Sequence, residues 1–277
     1  MNVRFSPDKE GFKVLSSDKL REKFLISSLF VKNEIPMVYS DIDRSITGSA
    51  VPSGKVLKLA ASRKEMAAEY FAERRELGII NIGGKGSVTV DETVYKMNNI
   101  DALYIGRGSK EILFESENAE NPAMYYFVSY PAHTSYPVKQ IKLEEAVSVQ
   151  LGSVEDSNKR TIHKYILPGK VETCQLVMGL TILDKGSVWN TMPAHTHQRR
   201  SEVYMYFGLR PESVVVHLIG DPEETRHIII RDKEAVLSPS WSLHSGAGTQ
   251  NYSFIWAMGG ENQDFDDMDW IPMEKLK

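Results

Sequence analysis

Short apolar runs separated by turn-forming residues dominate this sequence of 277 residues and limit the folds open to it. The runs hold about five residues and end at Gly, Pro, Asp or Asn, with a turn every ~8–12 residues, which is typical of an all-β sandwich or barrel. Helix signals are few: a helix over 17–30 with Ser17 as its N-cap, and a short helix or irregular strand over 64–73. The predicted strands fall into two series: 77–82, 87–90, 102–105, 111–114 and 123–129, then 203–207, 214–219, 227–230, 235–237 and 252–258.

The two series resemble each other in sequence. Residues 73–82 parallel 198–207, and residues 101–106 parallel 234–239, at an offset of about 125–133 positions. Two segments that agree in order and nearly in spacing indicate a tandem duplication of one β-barrel domain. We expect an N-terminal domain over 1–150 and a C-terminal domain over 151–277, joined within the polar stretch 136–158.

Composition and charge argue against several classes of partner. The net charge is -4, with 42% hydrophobic and 25% charged residues, so the chain has no basic surplus for nucleic acid. No stretch approaches the ~18 apolar residues of a membrane span, and the N-terminus lacks the apolar core of a signal peptide. The lone cysteine, Cys174, excludes an internal disulfide. These features predict a soluble, cytoplasmic protein with no nucleic-acid or membrane partner.

Three histidines and a glutamate in the second series have the side chains that bind divalent transition metals: His195, His197, Glu202 and His244. His195 and His197 lie two residues apart and therefore point to one side of a strand. Glu202 has the wrong parity for a continuous strand, so we expect the polar segment 198–201 to bend the chain. The quartet predicts a metal site, which in six-coordination keeps open positions for water or substrate.

The first series has no equivalent of this quartet. At the same offset, Tyr70 and Ala72 take the places of the first two histidines, Leu77 takes that of Glu202, and Lys110 or Glu111 falls near that of His244. We therefore predict a first domain without metal ligands, whose role is to pack against the second domain or to form subunit contacts.

Residues 186–208 resemble the first motif of the cupin superfamily, in which a Gly precedes His-x-His, a Glu and a closing Gly. Residues 239–244 match the Pro and the His of the second cupin motif, although Trp241 replaces its Gly. The resemblance implies tandem cupin barrels, each a double-stranded β-helix or jelly roll, with a few short helices.

A more specific resemblance covers nearly the whole chain, which is similar to the 5-keto-4-deoxyuronate isomerases (4-deoxy-L-threo-5-hexosulose-uronate ketol-isomerases), a bicupin family of pectin breakdown. It rests on residues 37–44, 73–84, 160–165, 172–176, 189–193, 224–228, 238–242 and 260–269.

This resemblance implies an aldose–ketose isomerase that interconverts 5-dehydro-4-deoxy-D-glucuronate and 3-deoxy-D-glycero-2,5-hexodiulosonate. It also implies one Zn²⁺ per subunit, held by His195, His197, Glu202 and His244, and a homo-oligomer, usually a hexamer. The reaction moves a proton through an enediolate, so it needs a metal to stabilise negative charge and a base to move the proton.

The residues leave the base and the substrate contacts open. Glu202 and Tyr204, which share a strand face after the bend, are the first candidates for catalysis, and His163, Lys164 and Glu224 are further ones. A substrate carboxylate needs an Arg or Lys partner. The candidates for substrate binding are Arg160, Lys164, Arg199 and Arg226, with Gln175 for a hydroxyl. Each Arg has a solvated surface charge as its alternative, and Trp189 and Trp241 form either a pocket wall or part of the core.

Three alternatives to an isomerase are compatible with the same four predicted metal ligands. One is another metal-dependent cupin enzyme, a dioxygenase or decarboxylase that uses iron or manganese. Another is a metal that only rigidifies the barrel, since four protein ligands also make closed sites. The third is a non-enzymatic protein that binds sugar acids.

Overall fold

The computed structural model describes residues 1–277. The chain forms two compact units whose residues interleave. The first contains Met1–Arg4, Ser28–Ala146 and Tyr165–Val177, and the second contains Phe5–Ser27, Val147–Lys164 and Met178–Lys277. These units differ from two contiguous blocks, because an N-terminal segment belongs to the second unit and residues 165–177 belong to the first. The division into domains 1–150 and 151–277 stays a prediction.

The helices are short and few. They are α1 (Lys9–Lys13), α2 (Ser17–Phe24) and α3 (Arg63–Met66). The N-cap of α2 is Ser16, whose hydroxyl accepts the Lys19 N–H at 3.3 Å. The helix ends at Phe24 rather than near residue 30, because the chain continues directly into a strand over Leu25–Ile26. None of the three helices combines the length and the apolar character needed to span a bilayer.

Apart from three 3₁₀ helices, Ile42–Arg44, Leu143–Glu145 and Met273–Lys275, strands form the rest of the regular structure, and every run in the two predicted series overlaps a strand. In chain order they are β1 (Asn2–Arg4), β2 (Leu25–Ile26), β3 (Met37–Ser40), β4 (Ile46–Ala50), β5 (Leu57–Lys58), β6 (Arg75–Asn81), β7 (Gly86–Val90), β8 (Thr93–Met97), β9 (Ala102–Ile105), β10 (Ile112–Ser116), β11 (Tyr125–Pro131), β12 (Lys139–Ile141), β13 (Val147–Leu151), β14 (Arg160–Ile166), β15 (Val177–Leu183), β16 (Trp189–Thr196), β17 (Arg200–Phe207), β18 (Val215–Asp221), β19 (Glu224–Ile230), β20 (Ala235–Ser238), β21 (Leu243–Gly248), β22 (Ser253–Gly260) and β23 (Asp269–Trp270).

Each unit has two sheets, and the strand order repeats. The first unit has a seven-stranded sheet, β1-β3-β4-β11-β6-β9-β12, and a four-stranded sheet, β5-β10-β7-β8. The second has a seven-stranded sheet, β13-β14-β15-β22-β17-β20-β2, and a five-stranded sheet, β19-β18-β21-β16-β23. Position by position, β6 corresponds to β17, β9 to β20, β11 to β22 and β10 to β21. The all-β fold of two barrels is therefore confirmed.

The interiors of the two units differ in chemistry. Apolar side chains from both sheets of the first unit meet in one buried cluster, for example Ile46, Leu77 and Phe127 with Val88 and Phe114. In the second unit, polar side chains on β16, β17, β18 and β21 are buried; they include Asn190, His195, Glu202, His217 and His244. Buried polar groups are costly unless they are paired, so the second interior needs partners for them.

Candidate metal centre

A tight turn moves the chain from one sheet of the second unit to the other. Strand β16 ends at Thr196, Gln198 and Arg199 form the turn, and β17 begins at Arg200, whose N–H donates to the carbonyl of His197 at 3.1 Å. This confirms the predicted bend. Because β16 and β17 belong to opposite sheets, Glu202 faces the two histidines across the interior, and its strand parity no longer matters.

The four predicted ligands converge on one point. Their ligand atoms all lie within 4.8 Å of one another, and all four residues are buried. The Glu202 Oε2 atom lies 3.1 Å from His197 Nε2 and 2.8 Å from His244 Nε2. The His244 Nε2 atom lies 3.1 Å from His195 Nε2. His244 is placed there by the pairing of β16 with β21, which sets His195 opposite His244.

Hydrogen bonds at the far side of two rings orient this cluster. The Nδ1–H of His197 donates to the Arg200 carbonyl at 2.9 Å, and the Nδ1 of His244 lies 3.2 Å from the Ser238 hydroxyl. A donor at Nδ1 leaves the Nε2 lone pair of His197 directed at the centre, as in metal-ligating histidines. Lone pairs crowded around a carboxylate need a cation between them. The donor set therefore fits a divalent metal.

Charge states in the cluster agree with ligation. Burial, and then the neighbouring His244, lowers the pKa of His195 to about 2, and burial also lowers the pKa of His244. Burial alone would raise the pKa of Glu202, but interactions with His244 and His197 bring it below its ordinary value. Neutral imidazoles and an ionised carboxylate are the forms that bind metals.

The turn before His244 forms without the glycine of the second cupin motif. The Ser242 N–H donates to the Pro239 carbonyl at 2.9 Å. Trp241 is not among the residues with positive φ, so no glycine is required there. Its half-buried ring packs edge-on against the buried Phe12 with centroids 5.1 Å apart.

A cavity of about 230 Å³ opens onto the cluster. His195 and Glu202 lie in its wall, so the cavity adjoins one side of the cluster. Apart from these two residues, the wall is formed by Leu151, Arg160, Ile162, Thr181, Thr191, Met192, Pro193, Tyr204, Phe254, Trp256, Met258, Phe265, Asp266, Met268 and Trp270.

Tyr204 lies in the cavity wall two residues beyond Glu202, on the same face of β17, as predicted. Its hydroxyl is 3.1 Å from the Thr191 hydroxyl, and its ring centroid is 5.2 Å from that of His244. Burial raises the pKa of Tyr204 well above its ordinary value, so the phenol stays protonated and can donate.

The predicted substrate residues divide into two groups. Arg160 lines the cavity, and Lys164, four residues further on the same face of β14, holds its Nζ 3.6 Å from the centroid of Phe265, a wall residue. Gln175 belongs to the first unit, where its Nε2 donates to the Pro131 carbonyl at 2.6 Å. Arg226 donates to the Leu15 carbonyl at 2.9 Å, away from the cavity.

The remaining candidates also lie outside the cavity wall. Arg199 makes an ion pair with Asp267, and His163 lies 2.8 Å from the Ser148 hydroxyl. Glu224 begins β19, and Trp189 begins β16. The predictions for Gln175, Arg226, Trp189 and Trp241 at the substrate pocket thus receive no support from their positions.

Sequence reasoning missed the C-terminal part of the wall. Phe265, Asp266, Met268 and Trp270 line the cavity, and the Trp270 ring centroid lies 5.1 Å from that of His195. Pairing of β23 with β16 places Trp270 opposite His195. This segment has no strand-like periodicity, and the only available signal was its place within the family-like stretch 260–269.

Comparisons with known proteins define the class first. The chain is similar in structure to an IolB-like protein from Salmonella typhimurium LT2, with a TM-score of 0.73 at 14% identity, covering 90% of this chain and 97% of that one. It is also similar to the cupin-type vicilin of Solanum lycopersicum, with a TM-score of 0.54 at 8% identity, covering 83% and 78%. These structural similarities define the fold as a tandem cupin. The cluster of three histidines and a glutamate lies in the second barrel.

The sequence then gives the family. The profile of the KduI/IolB family matches residues 25–273, and this chain belongs to that family. It is 58% identical to the 4-deoxy-L-threo-5-hexosulose-uronate ketol-isomerase of Lachnoclostridium phytofermentans over 277 residues, 100% of each chain. Proteins of the same name from Caldicellulosiruptor bescii and Escherichia coli strain SE11 are 50% and 49% identical, again over 100% of each chain.

Proposed function

We propose that this protein is a metal-dependent ketol-isomerase that interconverts 5-dehydro-4-deoxy-D-glucuronate and 3-deoxy-D-glycero-2,5-hexodiulosonate in the breakdown of pectin-derived uronates. The observation that carries the proposal is the convergence of His195, His197, Glu202 and His244 at the wall of an open cavity. The full-length relatives named as ketol-isomerases supply the reaction class and the substrate. An intramolecular oxidoreductase needs no second substrate, which suits one small cavity.

The proposed metal is one Zn²⁺ per chain, held by the three imidazoles and the Glu202 carboxylate. The ion would supply Lewis acidity that stabilises developing negative charge on the substrate by several kcal/mol, and a redox-inert ion would suffice because no electron leaves the substrate. The mixed nitrogen and oxygen donor set is one that zinc accepts.

Glu202 and Tyr204 are the proposed catalytic residues. The Oε2 atom of Glu202 lies against His197 and His244, and Glu202 also lies in the cavity wall, so its second carboxylate oxygen is the proposed base that takes the carbon-bound proton and returns it one carbon away. The Tyr204 hydroxyl, protonated and held by Thr191, donates to a substrate oxygen as charge develops there.

Arg160 is the proposed partner of the substrate carboxylate. It is the one Arg or Lys in the cavity wall, and one of its amino groups is fixed by the Asn158 carbonyl at 2.8 Å. Lys164 stands behind the Phe265 wall and adds positive charge. A guanidinium at a fixed distance from the metal would select a sugar acid over a neutral sugar of similar size.

Two properties of the protein in the cell complete the proposal. By family resemblance we expect a homohexamer, in which the first unit, without metal ligands, contributes subunit contacts. We also expect a cytoplasmic enzyme, since its substrate is a small sugar acid produced late in pectin breakdown.

The test is an assay on unsaturated uronate released from pectate by a lyase, combined with elemental analysis of the purified protein. We expect conversion at equal rates with and without oxygen, loss of conversion after treatment with a chelator, and about one zinc per chain. Oxygen consumption or release of CO₂ would instead indicate a dioxygenase or a decarboxylase, and tight binding of the uronate without turnover would indicate a binding protein.

A further inference from the structure

The first unit contains a cavity of about 270 Å³ that the proposed isomerase activity does not use. Three arginines, Arg44, Arg74 and Arg75, line it together with Tyr39 and a single carboxylate, Glu65. We call this the arginine cavity. All of its lining residues belong to the first unit, so it is formed by one barrel alone.

Arg75 is the deepest of these groups. It opens β6, is 7% exposed, and is held by three hydrogen bonds. Its Nε donates to the Ser129 hydroxyl at 3.1 Å, and its Nη2 donates to the carbonyls of Ser129 and Arg44 at 2.9 and 2.6 Å. Its remaining amino group, Nη1, has no hydrogen-bond partner in the protein, although the guanidinium lies in the cavity wall.

No carboxylate compensates the charge of Arg75. Burial lowers the pKa of its guanidinium to about 10, and the hydroxyls of Tyr39 and Tyr130 are the ionisable groups that act against this shift. Arg200 occupies the same position at the start of β17 in the second barrel, and there Glu202, Asp267 and Asp264 offset the burial. A buried cation without a counter-ion is costly, so Arg75 calls for an anion from outside the chain.

Among the other polar groups of the arginine cavity, two donors are unpaired while the carboxylate is hydrogen-bonded, which favours binding of an anion. The Arg44 guanidinium and the Tyr39 hydroxyl have no hydrogen-bond partner in the protein and are free to donate. Arg74 is already bound to the Glu73 carboxylate and to the carbonyls of Met66 and Ala67. The Glu65 carboxylate accepts from the Ser62 hydroxyl, so its charge is partly satisfied.

We propose that the arginine cavity is a second ligand site, which binds a small oxyanion through Arg75, Arg44 and Tyr39. Guanidinium groups bind carboxylates and phosphates through charge-assisted hydrogen bonds. The volume admits a molecule of the size of a six-carbon sugar acid or a sugar phosphate, so the ligand is an organic anion that carries one of these groups. The site is lined by other residues than the cavity at the metal centre and contains none of the four metal-type ligands.

The experiment is a calorimetric titration of the zinc-loaded protein with two probes, D-galacturonate for a carboxylate and inorganic phosphate for a phosphate. We expect saturable binding of at least one probe at concentrations up to roughly 10 mM. Arg44→Met and Tyr39→Phe should each weaken that binding by roughly 10-fold or more, because each removes one donor to a charged group. The probe that binds more tightly identifies the anionic group.

Two control variants separate this site from the metal centre and from general effects. Arg210→Met removes an exposed cation that lies outside both cavities and should leave binding unchanged. Arg160→Met should not remove the binding step that Arg44→Met removes. Isomerase turnover should be equal in wild type, Arg44→Met and Tyr39→Phe, so a failed isomerase assay in all three would bear on the proposed function alone. Absence of saturable binding, or binding lost in Arg160→Met and kept in Arg44→Met, would overturn the proposal.

Discussion

The two barrels place different chemistry on the same strand order. Glu202 lies on β17 opposite Ser238 of β20 and Met258 of β22. Leu77 lies at the same place on β6, opposite Ile105 of β9 and Ser129 of β11. The same position in the repeat is therefore occupied by the carboxylate of Glu202 in the second barrel and by the core residue Leu77 in the first.

The strand that carries His195 and leads to His197 differs between the two barrels. In the second barrel, β16 has eight residues and pairs with β21, which sets His195 opposite His244. Its counterpart β5 has two residues and pairs with β10 through Leu57 and Lys58. Apolar side chains, including Leu57 and Leu77, fill the first interior. A barrel of this strand order therefore accommodates either apolar packing or a buried cluster of imidazoles and a carboxylate.

The largest expected effect is on the metal centre itself. His195→Ala should remove the bound metal and lower turnover on the uronate by at least ~10³-fold, because the charge on the reacting oxygens loses its stabilisation. Elemental analysis and the coupled assay measure both. The matched change His133→Ala, at an exposed histidine of the first barrel, should leave metal content and turnover unchanged. Full metal content in His195→Ala would remove His195 from the ligand set.

Introducing the carboxylate of the second barrel at the equivalent position of the first barrel should destabilise the first barrel. Leu77→Glu places a carboxylate in an interior without imidazoles, and an uncompensated buried charge costs about 3–5 kcal/mol in the free energy of unfolding. Urea unfolding measures the loss, and no additional metal should bind. Val94→Glu, on the exposed β8, should change stability by less than ~0.5 kcal/mol. Equal stabilities of the two variants would show that the interior of the first barrel tolerates a charge, and would contradict the conclusion that it depends on apolar packing.

Tyr204→Phe tests whether the Tyr204 hydroxyl donates a hydrogen bond to the substrate during the reaction. Removing the hydroxyl should keep the metal and lower kcat by about 10²-fold, as expected for loss of one positioned acid. Tyr206→Phe is the control on the same face of β17, because Tyr206 bonds His217 at 2.7 Å and does not line the cavity. A Tyr204→Phe enzyme with wild-type kcat would exclude Tyr204 from catalysis.

The smallest effect on activity is expected for a residue that contacts a predicted metal ligand but is not itself a ligand. Ser238→Ala removes the hydroxyl 3.2 Å from Nδ1 of His244, so that ring is less firmly oriented. Affinity for zinc should fall by roughly 10-fold, while kcat at saturating zinc stays near the wild-type value. Competition with a zinc chelator of known affinity measures the change. A loss of kcat at saturating zinc would mean that Ser238 acts in the reaction.

Sequence reasoning predicted the parts of this molecule that depend on local pattern. Strand periodicity located the strands of both series, and the parity argument predicted the bend between His197 and Glu202. Ligand chemistry selected the four residues that the structure brings within 4.8 Å of one another. The assignment of Tyr70 to the place of His195 is not supported, because His195 lies in β16 whereas Tyr70 lies in the long connection between β5 and β6. Ala72 precedes β6 by three residues, as His197 precedes β17, so its assignment stays a prediction.

The features that depend on long-range pairing could not be read from the sequence. Residues 5–27 belong to the second unit, where β2 pairs with β20, and no local signal marks such a partner. Arg226 and Gln175 have the chemistry of substrate ligands, yet backbone carbonyls of Leu15 and Pro131 hold them. Trp270 reaches His195 only because a two-residue strand, β23, adds to the edge beside β16.

The most direct test of the account is a zinc titration of turnover on the metal-stripped protein with 5-dehydro-4-deoxy-D-glucuronate as substrate. We expect no conversion without metal, a linear rise with added zinc, and a plateau at one zinc per chain. Turnover that survives complete removal of metal, or a plateau at two zinc ions per chain, would contradict a single catalytic cation in the second barrel.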